Sequence, residues 1–173
     1  MLRKIMLATA AALVVSSCDR PAHEAEVGNT QANQQAGQTG QPAHHIIAAD
    51  QVSWTAGPPS LESGAQSAVL HGDPGKEGLF VMRLKLPAGF RIAPHTHPKP
   101  EIVTVISGAF HVGMGDTADR ARARRLPAGS FFAFDPGLAH YAHVDEETVV
   151  QISSTGPWAI EYVNPADDPR EKS

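Results

Sequence analysis

The sequence predicts an all-β domain, on three observations. Fifteen glycines and fourteen prolines punctuate the 173 residues at short intervals. From about residue 44 onward no apolar repeat of helical period persists for a helix length. Where apolar residues do recur, as in LFVMRLKL at residues 79–86, they alternate: Phe80, Met82, Leu84 and Leu86 share one face, and Arg83 and Lys85 take the other.

Taken in order, strands are expected at residues 65–70 and 79–86, then at 101–107 (EIVTVIS), a β-branched run closed by Gly108. Phe110 and Val112 continue with period two, and further strands are expected at 122–126, 130–134, 140–144, 148–153 and 158–163. Turns such as HGDPG at 71–75 and PAG at 127–129 separate them. Many short strands at close spacing indicate a sandwich or barrel. Trp54, Phe131, Phe132, Phe134 and Trp158 are assigned to its core, and Phe80, Met82, Phe132, Phe134 and Tyr141 are candidates to line an interior cavity.

The first residues have a different character. Arg3 and Lys4 precede an uncharged stretch, residues 5–17, that is shorter than the roughly 18 residues a spanning helix needs. It reads as a secretory leader. Val15-Ser16-Ser17-Cys18 then resembles the lipobox of bacterial lipoproteins, which implies that Cys18, the sole cysteine, is lipidated and becomes the new N-terminus. That resemblance implies an anchor in a membrane and a location in the cell envelope, facing the periplasm or the exterior. Residues 19–42, rich in Gln, Asn, Gly, Ala and Thr, cannot bury enough apolar surface to offset their ordering entropy. The expected organisation is therefore a signal peptide at 1–17, a lipidated cysteine and flexible linker at 18–43, and one folded domain at 44–173. His23, His44 and His45 fall in or beside the linker and read as solvated. A formal net charge of −4, without a basic cluster of size, argues against nucleic acid as a partner.

The chemistry concentrates between Gly89 and Gly108. In GFRIAPHTHPKPE, His95 and His97 are two apart on an extended chain and so point to the same side. The stiff Pro98-Lys99-Pro100 turn steps to the next strand, where Glu101 opens the alternating set Glu101, Val103, Val105. If that set faces inward, a carboxylate joins two imidazoles, a mixed nitrogen and oxygen donor set suited to one divalent transition metal among Mn, Fe, Ni, Co, Cu and Zn.

This spacing matches the first motif of the cupin superfamily, G-x5-H-x-H-x3-E-x6-G, at every defined position, and the chain resembles small single-domain bacterial cupins over residues 50–165. The second cupin motif is partly present: Gly129, Gly137 and His140 are in register, Pro136 is one place late, and Val144 stands where the family has asparagine. The resemblance implies a double-stranded β-helix, a jelly-roll-like barrel, with His140 as a fourth metal ligand beside His95, His97 and Glu101. It also implies a homodimer. No separate general base is placed by the sequence; a metal-bound hydroxide or Glu101 itself is the candidate for proton transfer.

Related cupins include dioxygenases, decarboxylases, isomerases and lyases, so the preferred expectation is a mononuclear metalloenzyme acting on a small molecule bound to the metal. The alternative is a non-catalytic lipoprotein that binds or senses a metal or small ligand in the envelope. Outside this set, His143 is expected to face away from His140, His111 to be exposed between Phe110 and Val112, and His71 to lie in a turn. Arg120, Arg122 and Arg124 alternate and are expected as a charged, solvated strand face.

Overall fold

The computed structural model describes residues 44–172. The leader, Cys18 and the linker through residue 43 lie outside the described residues. Eleven strands form in order: β1 (Thr55–Ala56), β2 (Gln66–His71), β3 (Gly78–Leu86), β4 (Arg91–Thr96), β5 (Glu101–Ser107), β6 (Ala109–Met114), β7 (Arg124–Pro127), β8 (Phe131–Phe134), β9 (His140–Val144), β10 (Thr148–Gly156) and β11 (Glu161–Tyr162). Among the described residues the only helical pieces are three single turns of 3-10 type.

The strands pair antiparallel in two sheets, ordered β1-β2-β3-β10-β5-β8 and β11-β4-β9-β6-β7. From β3 to β6, and again from β7 to β11, successive strands fall in opposite sheets, which is the winding of a double-stranded β-helix. Period-two alternation drives this arrangement. On β3, Phe80, Met82, Leu84 and Leu86 are buried against Val103, Val105, Val150 and Ile152 of the same sheet, and against Ile92, Phe110, Val112, Ala142 and Val144 of the other. Each large side chain so buried stabilises the fold by about 1.5–3 kcal/mol relative to exposure. Strand β10 pairs with both β3 and β5, so it locks the carboxy-terminal half of the chain into the first sheet.

Gly108, at the tight step from β5 to β6, has φ +72°, and a Cβ there would lie 2.5 Å from both the Glu147 carbonyl oxygen and Thr148 Oγ1. Only glycine fits that crossing.

Four expectations need correction. The strand expected at 158–163 shortens to Glu161–Tyr162, because Trp158 to Ile160 fold over the barrel interior instead of extending its edge. The strand expected at 122–126 begins at Arg124: the Asp119 side chain accepts a hydrogen bond from the Ala121 amide, and its carbonyl accepts from Arg122, which holds residues 119–122 in a turn. Arg120 and Arg122 are solvated as expected, but they share no strand face with Arg124. Phe131 is 62% exposed rather than core, since the β8 alternation turns Phe132 and Phe134 inward. Trp54 is half-buried and packs under the Lys85 ammonium, 4.4 Å from the ring centroid.

Candidate metal centre

His95 lies near the end of β4 and His97 just beyond it, and a register shift on that strand decides where they point. β4 pairs with β9 as Ile92↔Ala142 and then His95↔His140, three steps on one strand against two on the other. The extra residue is a bulge at Ala93-Pro94, where proline's missing N–H is tolerated. Without it, Ile92 and His95 would face opposite sides; with it, Ile92, His95 and His97 all face the interior. His140 opens β9 directly across from His95, and Glu101 opens β5. The Gly137 amide donates to the His97 carbonyl at 2.9 Å, with Gly137 at φ +77°, so the turn before β9 is tied to the first histidine pair. Val144, at the position where asparagine was expected, is fully buried and exchanges backbone hydrogen bonds with Gly89 and Phe90. The strand end is therefore held without an asparagine side chain.

All four side chains expected in the site converge. His95, His97 and His140 are buried, their ring centroids lie 4.2–5.2 Å apart, and each offers a ring nitrogen within 4.8 Å of the others. Glu101 Oε1 is 3.5 Å from His97 Nε2, and Oε2 is 3.1 Å from His140 Nε2.

Each imidazole is fixed from behind by a backbone carbonyl. His95 Nδ1 lies 2.7 Å from the Ala93 oxygen, His97 Nδ1 2.7 Å from that of Ala159, and His140 Nδ1 2.9 Å from that of Leu138. A carbonyl only accepts, so Nδ1 carries the hydrogen in each ring, and in the neutral imidazole Nε2 is left as a lone pair. Two of those Nε2 atoms face the Glu101 carboxylate, which is also acceptor-only. His97 Nε2 and Glu101 Oε2 are accordingly buried without a hydrogen-bond partner. Lone pairs and a carboxylate crowded at this range repel one another unless a positive charge lies between them. The donor set therefore fits a cation, and carbonyl-fixed histidines are the usual support of metal ligands.

The electrostatics agree. Burial lowers His95 to about 3, assisted by the charges that His140 and His97 would carry, so this imidazole is neutral at neutral pH. Burial pushes the Glu101 carboxyl upward, and hydrogen-bond donation or positive charge on its His140 and His97 side pulls it to about 2; with both Nε2 atoms presented as lone pairs, that positive charge is what a bound cation would supply.

The surroundings are apolar. Trp158 stacks on His97 at 4.3 Å and meets Phe80 edge-on, and Phe134 packs 4.9 Å from His140. Leu84, Leu86, Val103, Phe110, Val150 and Ile152 complete a cavity of about 20 Å³, roughly one water-sized sphere. Tyr141, expected as a lining candidate, faces the other way: its ring covers Gly113, and its hydroxyl donates to the Asp119 carbonyl at 2.8 Å.

A family model described as "Domain of unknown function (DUF4437)" matches residues 30–161. The chain belongs to this family. Among curated proteins, this DUF4437 chain is 35% identical to germin-like protein 1-1 of Oryza sativa subsp. japonica over 65 residues, 37% of the chain and 30% of that protein. It is 37% identical to germin-like protein subfamily 2 member 1 of Arabidopsis thaliana, also over 65 residues and with the same coverage. The match thus spans less than a third of either plant protein.

Among solved structures, the polyketide cyclase RemF from Streptomyces resistomycificus superposes with a TM-score of 0.61 at 14% identity, covering 75% of this chain and 92% of that one. A putative acetylacetone dioxygenase from Methylibium petroleiphilum PM1 gives 0.57 at 21% identity, covering 75% and 88%. An RmlC-like cupin from Shewanella frigidimarina gives 0.50 at 18%, covering 65% and 91%. At these identities the likeness establishes the fold, which is that of a cupin.

One feature of this DUF4437 chain escaped the sequence. His111 is half-buried, not exposed, and stands beside His143 on the outer face of the second sheet. The signal was available only through strand pairing, since neither residue belongs to a motif. His143 does face away from His140, as the period of β9 requires.

Proposed function

We propose that this protein is a mononuclear metalloenzyme acting on a small molecule, with one divalent transition metal (Mn, Fe, Ni, Co, Cu or Zn) held by His95, His97, Glu101 and His140. The observation that carries this reading is the set of Nε2 lone pairs fixed toward an ionised, buried carboxylate, with His97 Nε2 and Glu101 Oε2 left without partners. A metal bound there supplies Lewis-acid or redox chemistry to a small ligand in its remaining positions.

The protein's own contribution is positioning and exclusion. The carbonyls of Ala93, Leu138 and Ala159 fix the three rings, and Trp158 and Phe134 wall off water. Glu101, as the one carboxylate in the cluster, is the group able to take or return a proton at Oε1 or Oε2. The fold neighbours described as a polyketide cyclase and an acetylacetone dioxygenase support reaction classes in which a carbonyl compound is rearranged, oxidised or cleaved. In the same reading the domain is exported and anchored through the lipidated Cys18, as the leader and the Val15-Ser16-Ser17-Cys18 motif support.

The test is metal analysis of the purified protein, followed by oxygen consumption and product analysis with β-diketones, catechols and cyanohydrins. Turnover that disappears in His97→Ala is the expected result. Full metal retention without turnover across the panel would overturn the enzyme and favour a binding or sensing module.

A further inference from the structure

We propose that the outer face of the barrel carries a second transition-metal site, formed by His111, His143 and Asp145. Antiparallel pairing of β6 with β9 sets His111 directly opposite His143, and both turn away from the interior because Phe110, Val112, Ala142 and Val144 fill it. Their ring centroids are 4.5 Å apart. Asp145 follows β9 immediately and brings Oδ2 to 3.7 Å from His111 Nε2. One donor atom from each of the three residues lies within 4.8 Å of the others.

A tetrahedral ion with bonds of about 2.1 Å needs donors roughly 3.4 Å apart. The Asp145 side chain is 57% exposed, and rotation about its contact with Arg120 would bring Oδ2 the remaining distance. His143 is only 4% exposed, and its ring packs against that of His111. Two imidazoles and a carboxylate select Zn, Ni, Co or Cu over Mg or Ca.

Arg120 sets the strength of this site. Its guanidinium holds Asp145 through Oδ1, leaving Oδ2 turned to the histidine pair. Its charge also opposes an incoming cation, so the outer site fills at higher metal concentration than the inner one. His143 borders a groove of about 760 Å³ lined also by Arg91, Arg120 and Tyr141, which gives an ion on this face access to solvent.

Titrating the full chain with Zn²⁺ by calorimetry, after chelator treatment, tests the assignment. Wild-type protein is expected to show a tight and a weaker class of site. Asp145→Asn, nearly isosteric, and His111→Ala, at a half-buried position, are each expected to weaken the second class at least tenfold and to leave the tight class unchanged. His140→Ala is expected to do the reverse, so failure at one site is distinguishable from failure at the other. A second class that is missing from the wild type, or that persists unchanged in both Asp145→Asn and His111→Ala, overturns the proposal.

Discussion

Replacing Glu101 with glutamine is expected to move the metal-free and metal-loaded proteins in opposite directions. The carboxylate lies 3.1 Å from His140 Nε2 and 3.5 Å from His97 Nε2, and both nitrogens present lone pairs because their Nδ1 hydrogens are committed to carbonyls. With those hydrogens on Nδ1, neither Nε2 has a proton to donate to the carboxylate. A glutamine amide at the same place donates where the carboxylate could only accept, and satisfying one such buried group is worth about 1–3 kcal/mol. For a domain of this size each kcal/mol shifts the Tm by about 3–5 °C, so metal-free Glu101→Gln should melt roughly 3–15 °C above metal-free wild type.

The metal-loaded forms should show the reverse. At a hundredfold excess over Kd, a bound metal stabilises the wild type by about 2.7 kcal/mol. Loss of the anionic ligand should weaken binding by at least the tenfold typical of supporting residues, which leaves about 1.4 kcal/mol or less at the same metal concentration. Thermal melts followed by circular dichroism, with chelator and with added metal, read both effects. A metal-free variant that melts below the wild type while keeping the full metal-induced shift would refute the lone-pair argument.

Acid should destabilise the metal-free protein in a defined window. Native His95 titrates near 3 and its unfolded counterpart near 6.5, so between those values the unfolded state binds more protons and stability falls as pH falls. Glu101, at about 2 in the fold against 4.5, adds a further loss below pH 4.5. Urea midpoints in chelator should therefore drop from pH 7 to pH 4, and equal midpoints would contradict the assignment. Gly113→Ala would place a Cβ 2.1 Å from the Tyr141 ring and should cost about 1–3 kcal/mol by denaturant titration. Tyr141→Phe should lose about 1 kcal/mol with metal content unchanged, because its hydroxyl reaches Asp119 on the outer face. Cys18→Ala should abolish incorporation of labelled fatty acid and release the protein from the membrane fraction; unchanged labelling would exclude Cys18 as the anchor.

Much of the barrel was legible because its determinants are local. The alternation of Phe80 to Leu86 and the β-branched run from Glu101 onward place β3 and β5 with few alternatives, and the HTHPKPE spacing brings together residues that do converge. What escaped depended on contacts between distant segments. The bulge at Ala93-Pro94 is defined only by pairing with β9, and the Ala159 carbonyl behind His97 lies 62 residues away. His111 looked like a lone polar residue until β9 placed His143 beside it. The Arg120 and Arg122 positions were misread as strand because alternation outweighed the turn-forming side chain of Asp119. Phe131 shows that aromatic character alone does not assign a residue to the core when its strand lies at a sheet edge.

The central claim, that these side chains hold a metal, is tested most directly by X-ray absorption on the full chain loaded with one equivalent of metal, using the Asp145→Asn variant to isolate the inner site. The account predicts three imidazole nitrogens and a carboxylate oxygen in the coordination shell, with one imidazole lost in His140→Ala. A shell without imidazole, or one unchanged by His140→Ala, would contradict it.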